Sequence, residues 1–518
     1  MSDHQDFTGF RYPFGEESFE HEIEVLQDQY RDFYYNHGYF NTEILDPDTY
    51  MIIGRRGSGK SSLAKFLEFQ DNIKNAKLID VNEPEMYEET LRQIIANANY
   101  PDDLLTARIV KLWNYIIWSL ILNSLKDEDP VISAACILSD QKNIPGRVVS
   151  EILKKVAGKT IGDGIGSLVE QVESYLASSL FREAKVKVLG HVREKPVIIA
   201  LDTLERYDRN DEHLMCATAA LIQSSSEFSV SYARRGIHIK AFIAAEVFPH
   251  IKEAAIANTT KYIRYPMYLH WRPKDLVRLI CWRLKKYLDA HHLYVNGSTR
   301  VNDWNNFGEV IHKIWIPFFG SHICNQGSRP EKSFPYVLRH TQMRPRQLVV
   351  LCNAIAKHAM RTESFPFFKH ESIASIIKQT EGSLADEVIN SYARIYPRVG
   401  EIIEALQTSP MTFEGSYLDQ VAKRTGYAWP ARTYSLDNFR KLVAELGIVG
   451  RMRKFDEDSG IMQADFEYAQ TDRLPLRSDD ICVIHPMFYS KLRTRIERGV
   501  VVYPFPDHPD YDELHAGS

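Results

Sequence analysis

Residues 54–61 read GRRGSGKS, the spacing G-x-x-x-x-G-K-[ST] of a phosphate-binding P-loop. Gly54, Gly57 and Gly59 let the backbone curl through Arg55, Arg56 and Ser58 until successive N–H groups face one anionic point. A helix opening at Ser61 and Ser62 adds its positive N-terminal end to the same point. In that arrangement Lys60 reaches the β- and γ-phosphates of a nucleotide, and the Ser61 hydroxyl joins the shell of a Mg²⁺ ion. At ordinary residue frequencies roughly 2 chains in 100 of this length carry the pattern by accident. The apolar run before it (YMII) and the helical segment after it (SLAKFL) make accident rarer still.

A second group with chemistry lies at Asp202, which closes the apolar run PVIIAL at 196–201. Such a run suits a parallel strand buried on both faces, and its carboxyl end is where open α/β sheets bind ligands. Behind a P-loop, that carboxylate is the Walker B group, holding Mg²⁺ directly or through water. An Asp that merely caps the following helix is the plainer alternative.

The elements that must position these residues are strands at 49–53, 76–81, 196–201, 237–244 and 262–269, alternating with helices. The expected fold class is therefore α/β, with a doubly wound parallel sheet as its core. A Glu-, Gln- and Tyr-rich helix at 18–39 precedes the core as a brace, and the loop helix runs to Phe69. Residues 88–191 read as mostly helical. They include the glycine-rich stretch 158–166, which lacks both the G-x-x-x-x-G-K-[ST] order and a preceding strand and reads as a flexible connection. From Pro273 onward, Leu276, Leu279, Ile280, Leu284 and Leu288 recur at helical spacing, and another helix runs from about Thr341 to Met360. Short helices at 399–407, 418–425 and 436–446 precede a hairpin of 447–455 and 463–468, a winged-helix outline.

The 518 residues exceed one ordinary core and predict two to four domains. Hydrophobic content of 44% and charged content of 25% are those of a globular chain. A net charge of −5 speaks against a general nucleic-acid coat. The six cysteines are scattered, with no C-x-x-C pair, and read as free thiols rather than disulfides or zinc ligands. No signal peptide is visible, and the most apolar window, 109–125, carries Lys111, Asn114 and Asn123. A cytoplasmic protein with no membrane segment is the expectation.

The order of GRRGSGKS, LDTLER (201–206), the segment 242–248, LHW (269–271) and RPR (344–346) resembles that of the bacterial P-loop ATPases related to the STAND and KAP groups. More distantly it is similar to Orc-type AAA+ proteins, and the nearest likeness is to a branch encoded among anti-phage defence genes. The resemblance spans about residues 15–490, and only the P-loop is highly specific. It implies an N-terminal helical segment (1–48), an ATPase core (49–272) with a helical insertion at about 88–191, a helical lid (273–395) and a winged-helix-like domain (396–518). It also implies ATP with Mg²⁺, Ser61 and Asp202 as metal-holding residues, and a nucleotide-controlled switch that often forms homo-oligomers.

Two departures bear on hydrolysis. Relatives commonly place a second acidic residue after the Walker B Asp, where this chain has Thr203; Glu205 or Glu246 could take over the polarising of water. Relatives also tend to carry Arg-x-Asp after the next strand, where this chain has Ala244, Ala245 and Glu246. A missing arginine removes a cation from the γ-phosphate, so tight ATP binding with slow, partner-dependent turnover is expected. Arg344 and Arg346 stand where relatives place a sensor-like arginine, or are solvated helix-start residues. Trp271 reads as a packing residue, and His485 is assigned no chemistry.

A regulatory ATPase controlling a separately encoded effector fits these features best, since no nuclease, protease or glycosidase constellation appears. The alternative is an Orc-type remodeller that clamps nucleic acid, with Arg451, Arg453 and Lys454 of the wing touching phosphates. Nucleic acid is thus a conceivable but not favoured partner. A P-loop phosphotransferase is less economical, given the long helical and C-terminal additions.

Overall fold

Met51, Ile52 and Ile53 have no exposed face, the property that places their strand inside a parallel sheet. The structure is a computed structural model that describes residues 11–68, 76–81, 102–136, 164–202, 212–254, 259–293, 299–325, 329–430, 433–469 and 473–504. The chain divides into two compact units, one of His37–Leu269 and one of Met1–Asn36 with His270–Ser518.

In the first unit β1 (Met51–Gly54), β2 (Lys77–Val81), β3 (Val197–Asp202), β4 (Ile237–Ala244) and β5 (Met267–Tyr268) form one sheet. Their order is β2-β3-β4-β1-β5, and every pair is parallel. From β1 the chain travels to the far edge at β2, returns through β3 and β4, and then passes β1 to reach β5. Right-handed crossovers in opposite directions must run over opposite faces. Accordingly the helix Lys60–Phe66, after β1, packs on β3, whereas the helix Glu212–Tyr232, after β3, packs on β4 and is itself contacted by the following helices Phe248–Ala254 and Thr259–Tyr262. The winding therefore reverses between β1 and β4.

One face of the sheet, with Val197, Ile199, Leu201, Ile237 and Ile239, is buried under the helices Asp102–Ser124 and Glu212–Tyr232. Trp113 fixes this layer by donating its indole N–H to the Ala217 carbonyl at 3.0 Å. Among the described residues one helix, Leu105–Ser124, is long and apolar enough to cross a membrane, but 72% of its apolar window is buried inside the protein.

Three local expectations need correction. The strand expected at 262–269 is only Met267–Tyr268, and Thr259–Tyr262 is helical. Tyr265 has φ +44 and Pro266 has no N–H for a ladder, so pairing starts after them. The helix expected over 18–39 is Phe19–Leu26 and Tyr30–Phe33, followed by a separate helix Gly38–Glu43. Gln27 at φ 45 ends the first, and His37 caps the last by accepting the Phe40 N–H at 3.2 Å. Within the glycine-rich stretch, residues 158–163 lie outside the described residues, while Gly164 opens the helix Gly164–Leu176.

The second unit contains the helices Pro273–Ala290, Pro345–Arg361 and His370–Ser391, and a small hairpin of β6 (His322–Cys324) and β7 (Pro330–Lys332). Residues from the N-terminal segment are built into it. Phe14 packs on Phe319 and Phe368, Asn353 binds the Phe14 N–H and the Gly15 carbonyl, and Arg283 pairs with Glu22 at 2.8 Å. The helices Val399–Glu404, Ser416–Lys423 and Leu436–Glu445 lie close to their expected places. They accompany a sheet of β8 (Thr412–Glu414), β9 (Val449–Asp456), β10 (Ile461–Asp465), β11 (Ile481–Ile484) and β12 (Val501–Tyr503), ordered β12-β10-β9-β11-β8. The β9–β10 hairpin matches expectation; β8, β11 and β12 are too short to have stood out in the sequence.

Candidate functional site

Open α/β sheets bind ligands outside the carboxyl ends of their strands, at the point where the winding reverses. In this sheet that point lies between β1 and β4, and the loop 54–59 leaves β1 there. Gly54 pairs in register with Ala244, its carbonyl accepts the Ala245 N–H at 3.1 Å, and Leu269 N–H reaches the Ile53 carbonyl from the other side at 2.8 Å. The base of the loop is thus fastened to both neighbours.

The glycines have distinct reasons to be there. A Cβ on Gly54 would stand 2.4 Å from Ser58 Oγ, 3.0 Å from Leu269 Cδ1 and 3.1 Å from Lys60 Cγ. Gly57 and Gly59 adopt φ of +73 and +95, the left-handed region that side chains avoid. Between them the loop tightens through a Ser58 N–H to Arg55 carbonyl bond of 3.0 Å. Gly59 then opens the helix Lys60–Phe66, which carries Ser61 and Ser62.

Lys60 is only 5% exposed, and its ammonium donates to the carbonyls of Gly54 at 3.0 Å and Arg55 at 3.3 Å. Glu246, two residues past β4, is equally buried. Its carboxylate accepts the Arg56 backbone N–H at 3.0 Å and lies 3.9 Å from Arg55 Nε. The two elements that meet at the reversal point are therefore joined by a carboxylate, a guanidinium and an amide.

Asp202 is the last residue of β3 and pairs in register with Phe242, placing it at the same carboxyl edge. Because β4 lies between β3 and β1, the Asp202 backbone is roughly 10 Å from β1 at ordinary strand spacing. Thr203 and Glu205 lie outside the described residues. Arg344 and Arg346 belong to the second unit. Arg344 is buried there and donates to Gln342 Oε1 at 3.0 Å, while Gln342 Nε2 reaches the Leu446 carbonyl at 2.7 Å. Arg346 is half exposed and 3.4 Å from Glu387. The structure thus gathers residues 54–62 and Glu246 at one edge with Asp202, while the two arginines have polar partners within the second unit. Trp271 lies beside Tyr35, their rings tilted at 34° with centroids 6.4 Å apart.

One buried cation of the same sheet, at the amino end of β1 and so at the opposite end of that strand from the loop, was not anticipated. Lys240, in the middle of β4, is 2% exposed and donates to the carbonyls of Thr49 at 2.6 Å and Asp46 at 2.7 Å, just before β1. Burial pulls its ammonium down to about 7, against the upward pull of Asp46, Glu43 and Asp48. Burial, with Lys240 nearby, likewise lowers His238 to about 4. A lone lysine in the run IHIKAFIA was the available sequence signal.

The loop suits a polyphosphate on its own terms: a turn packed so closely at Gly54 that no Cβ fits, two left-handed glycines, and a lysine held by carbonyls that it can leave. No family model matches this chain, and no curated protein matches it.

Proposed function

We propose that this chain is a P-loop nucleotide-binding protein that takes Mg·ATP at residues 54–62 and uses it as a switch. The observation that carries this reading is the seat of the glycine loop, at the winding reversal between β1 and β4 with Lys60 folded against its base. Lys60 would bind the terminal phosphates, and the loop amides would hold the inner ones. Ser61 and Asp202 are the residues to hold Mg²⁺, which would supply charge neutralisation between phosphates.

Turnover is proposed to be slow in the isolated chain. Thr203 follows Asp202 where a water-polarising carboxylate would be useful, and Glu246 is engaged by Arg55 and Arg56. A lid and a winged helix in the second unit, assembly into a homo-oligomer, and control of a separately encoded effector complete the proposal, and the assignment to anti-phage defence comes from the resemblance alone. The remodeller alternative is weakened by Asp465, which lies 3.9 Å from Arg451 and 3.7 Å from Arg453 and compensates both wing arginines.

The test is a paired measurement of Mg·ATP binding and turnover on the purified full chain, with Lys60→Ala beside it and light scattering to follow assembly. Binding weakened in the variant, little turnover and nucleotide-dependent assembly support the switch. Rapid turnover stimulated by DNA overturns it in favour of the remodeller.

A further inference from the structure

An amide N–H of a glycine-rich loop and a neighbouring guanidinium are the two kinds of group an incoming phosphate recruits. At this site a buried carboxylate of the protein already engages one of each. Glu246 Oε1 accepts the Arg56 N–H at 3.0 Å and stands 3.9 Å from Arg55 Nε. The carboxylate is held there by its backbone, because the Ala245 N–H bonds the Gly54 carbonyl at 3.1 Å and the Val247 N–H bonds the Ala244 carbonyl at 3.1 Å. Glu246 is only 6% exposed, so water screens its charge poorly.

We infer that Glu246 is an electrostatic gate on the loop, a resident anion that keeps the loop shaped and sets how strongly it discriminates among nucleotides by phosphate charge. This rests on the nucleotide-binding reading above. A polyphosphate entering the loop comes to lie near a fixed negative charge, and the repulsion grows with the number of phosphate charges. Compensation by Arg55 offsets part of it. Glu246 thereby lowers affinity for ATP more than for ADP, and acts as a positioning residue rather than a catalytic one.

Glu246→Gln separates charge from shape, since the amide oxygen can still accept the Arg56 N–H. On the full chain with Mg²⁺, the variant should bind ATP on the order of tenfold more tightly and ADP by a smaller factor, with adenosine unchanged. Glu246→Ala, which removes both charge and acceptor, should keep the same ranking of ATP above ADP even if its melting temperature falls. A change of equal size for ATP, ADP and adenosine, or none, overturns the gate and leaves a structural tether. Unchanged affinities with turnover lost would instead make Glu246 the water-polarising group. If neither the unaltered chain nor Glu246→Gln binds Mg·ATP, the nucleotide reading itself falls and the gate with it. Binding that Lys60→Ala weakens but Glu246→Gln leaves unranked removes the gate alone.

Discussion

Lys60 turns back on its own loop, its ammonium 3.0 Å from the Gly54 carbonyl oxygen six residues earlier. Both carbonyls it touches have other donors: Gly54 accepts Ala245 N–H, and Arg55 accepts Ser58 N–H. Removing the lysine therefore orphans no carbonyl. Lys60→Ala should melt within a few degrees of the unaltered protein while losing roughly 10–100-fold in Mg·ATP affinity, the worth of a charge-assisted hydrogen bond. Calorimetry and a nucleotide-binding titration on one preparation decide it. Retained affinity would remove Lys60 from the phosphate site.

Gly54→Ala tests the close packing at the base of the loop. Its Cβ would meet Ser58 Oγ at 2.4 Å, and the Leu269 and Lys60 side chains at 3.0 and 3.1 Å. Overpacking of that kind costs about 1–3 kcal/mol. Urea unfolding should show that loss, and adding Ser58→Ala should recover part of it by removing the closest atom. A single variant as stable as the original would mean that the loop relaxes freely around position 54.

Sequence and structure agree where the information is local. The order GRRGSGKS, the apolar runs that become β3 and β4, and the helix after Pro273 could all be read, because residue type and spacing within one segment determine each. Tyr262–Leu269 misled because its aromatic and apolar content suits a strand, while Tyr265 and Pro266 veto ladder bonds over most of it. The contact between Arg56 and Glu246 joins residues 190 positions apart, so only the sheet order could reveal it. Arg344 looked like a solvated or ligand-facing arginine at a helix start. Its partnership with Gln342, and through it Leu446, depends on packing that no short pattern encodes.

The β9–β10 hairpin offers a test of the nucleic-acid alternative. Asp465 compensates Arg451 and Arg453, and Arg329 ties the turn by donating to the Ser459 and Gly499 carbonyls. Proteins that rely on phosphate contacts lose affinity steeply as salt rises from about 50 to 200 mM. Fluorescence anisotropy with duplex DNA over that range should show no such dependence, and the double variant Arg451→Ala/Arg453→Ala should behave like the original. A steep slope that the double variant flattens would restore the remodeller.

Lys240 gives the fold a pH dependence of defined sign. Its folded value of about 7 lies below its ordinary 10.5, so between these limits the unfolded chain binds more protons and stability rises with pH. The cost of burying the ammonium is present in full below about pH 7 and is relieved as pH climbs toward 10.5. Unfolding free energy should therefore increase from pH 7 to 9 with a contribution approaching roughly 1 kcal/mol per pH unit. Lys240→Met removes the titrating group and should flatten that rise. It also takes a donor from the Thr49 carbonyl, whereas the Asp46 carbonyl keeps the Thr49 N–H at 3.1 Å. An absolute loss of about 1–3 kcal/mol at pH 9 is expected from the weakened acceptor. The slope is the decisive readout, since a variant that is merely less stable would keep the original rise with pH.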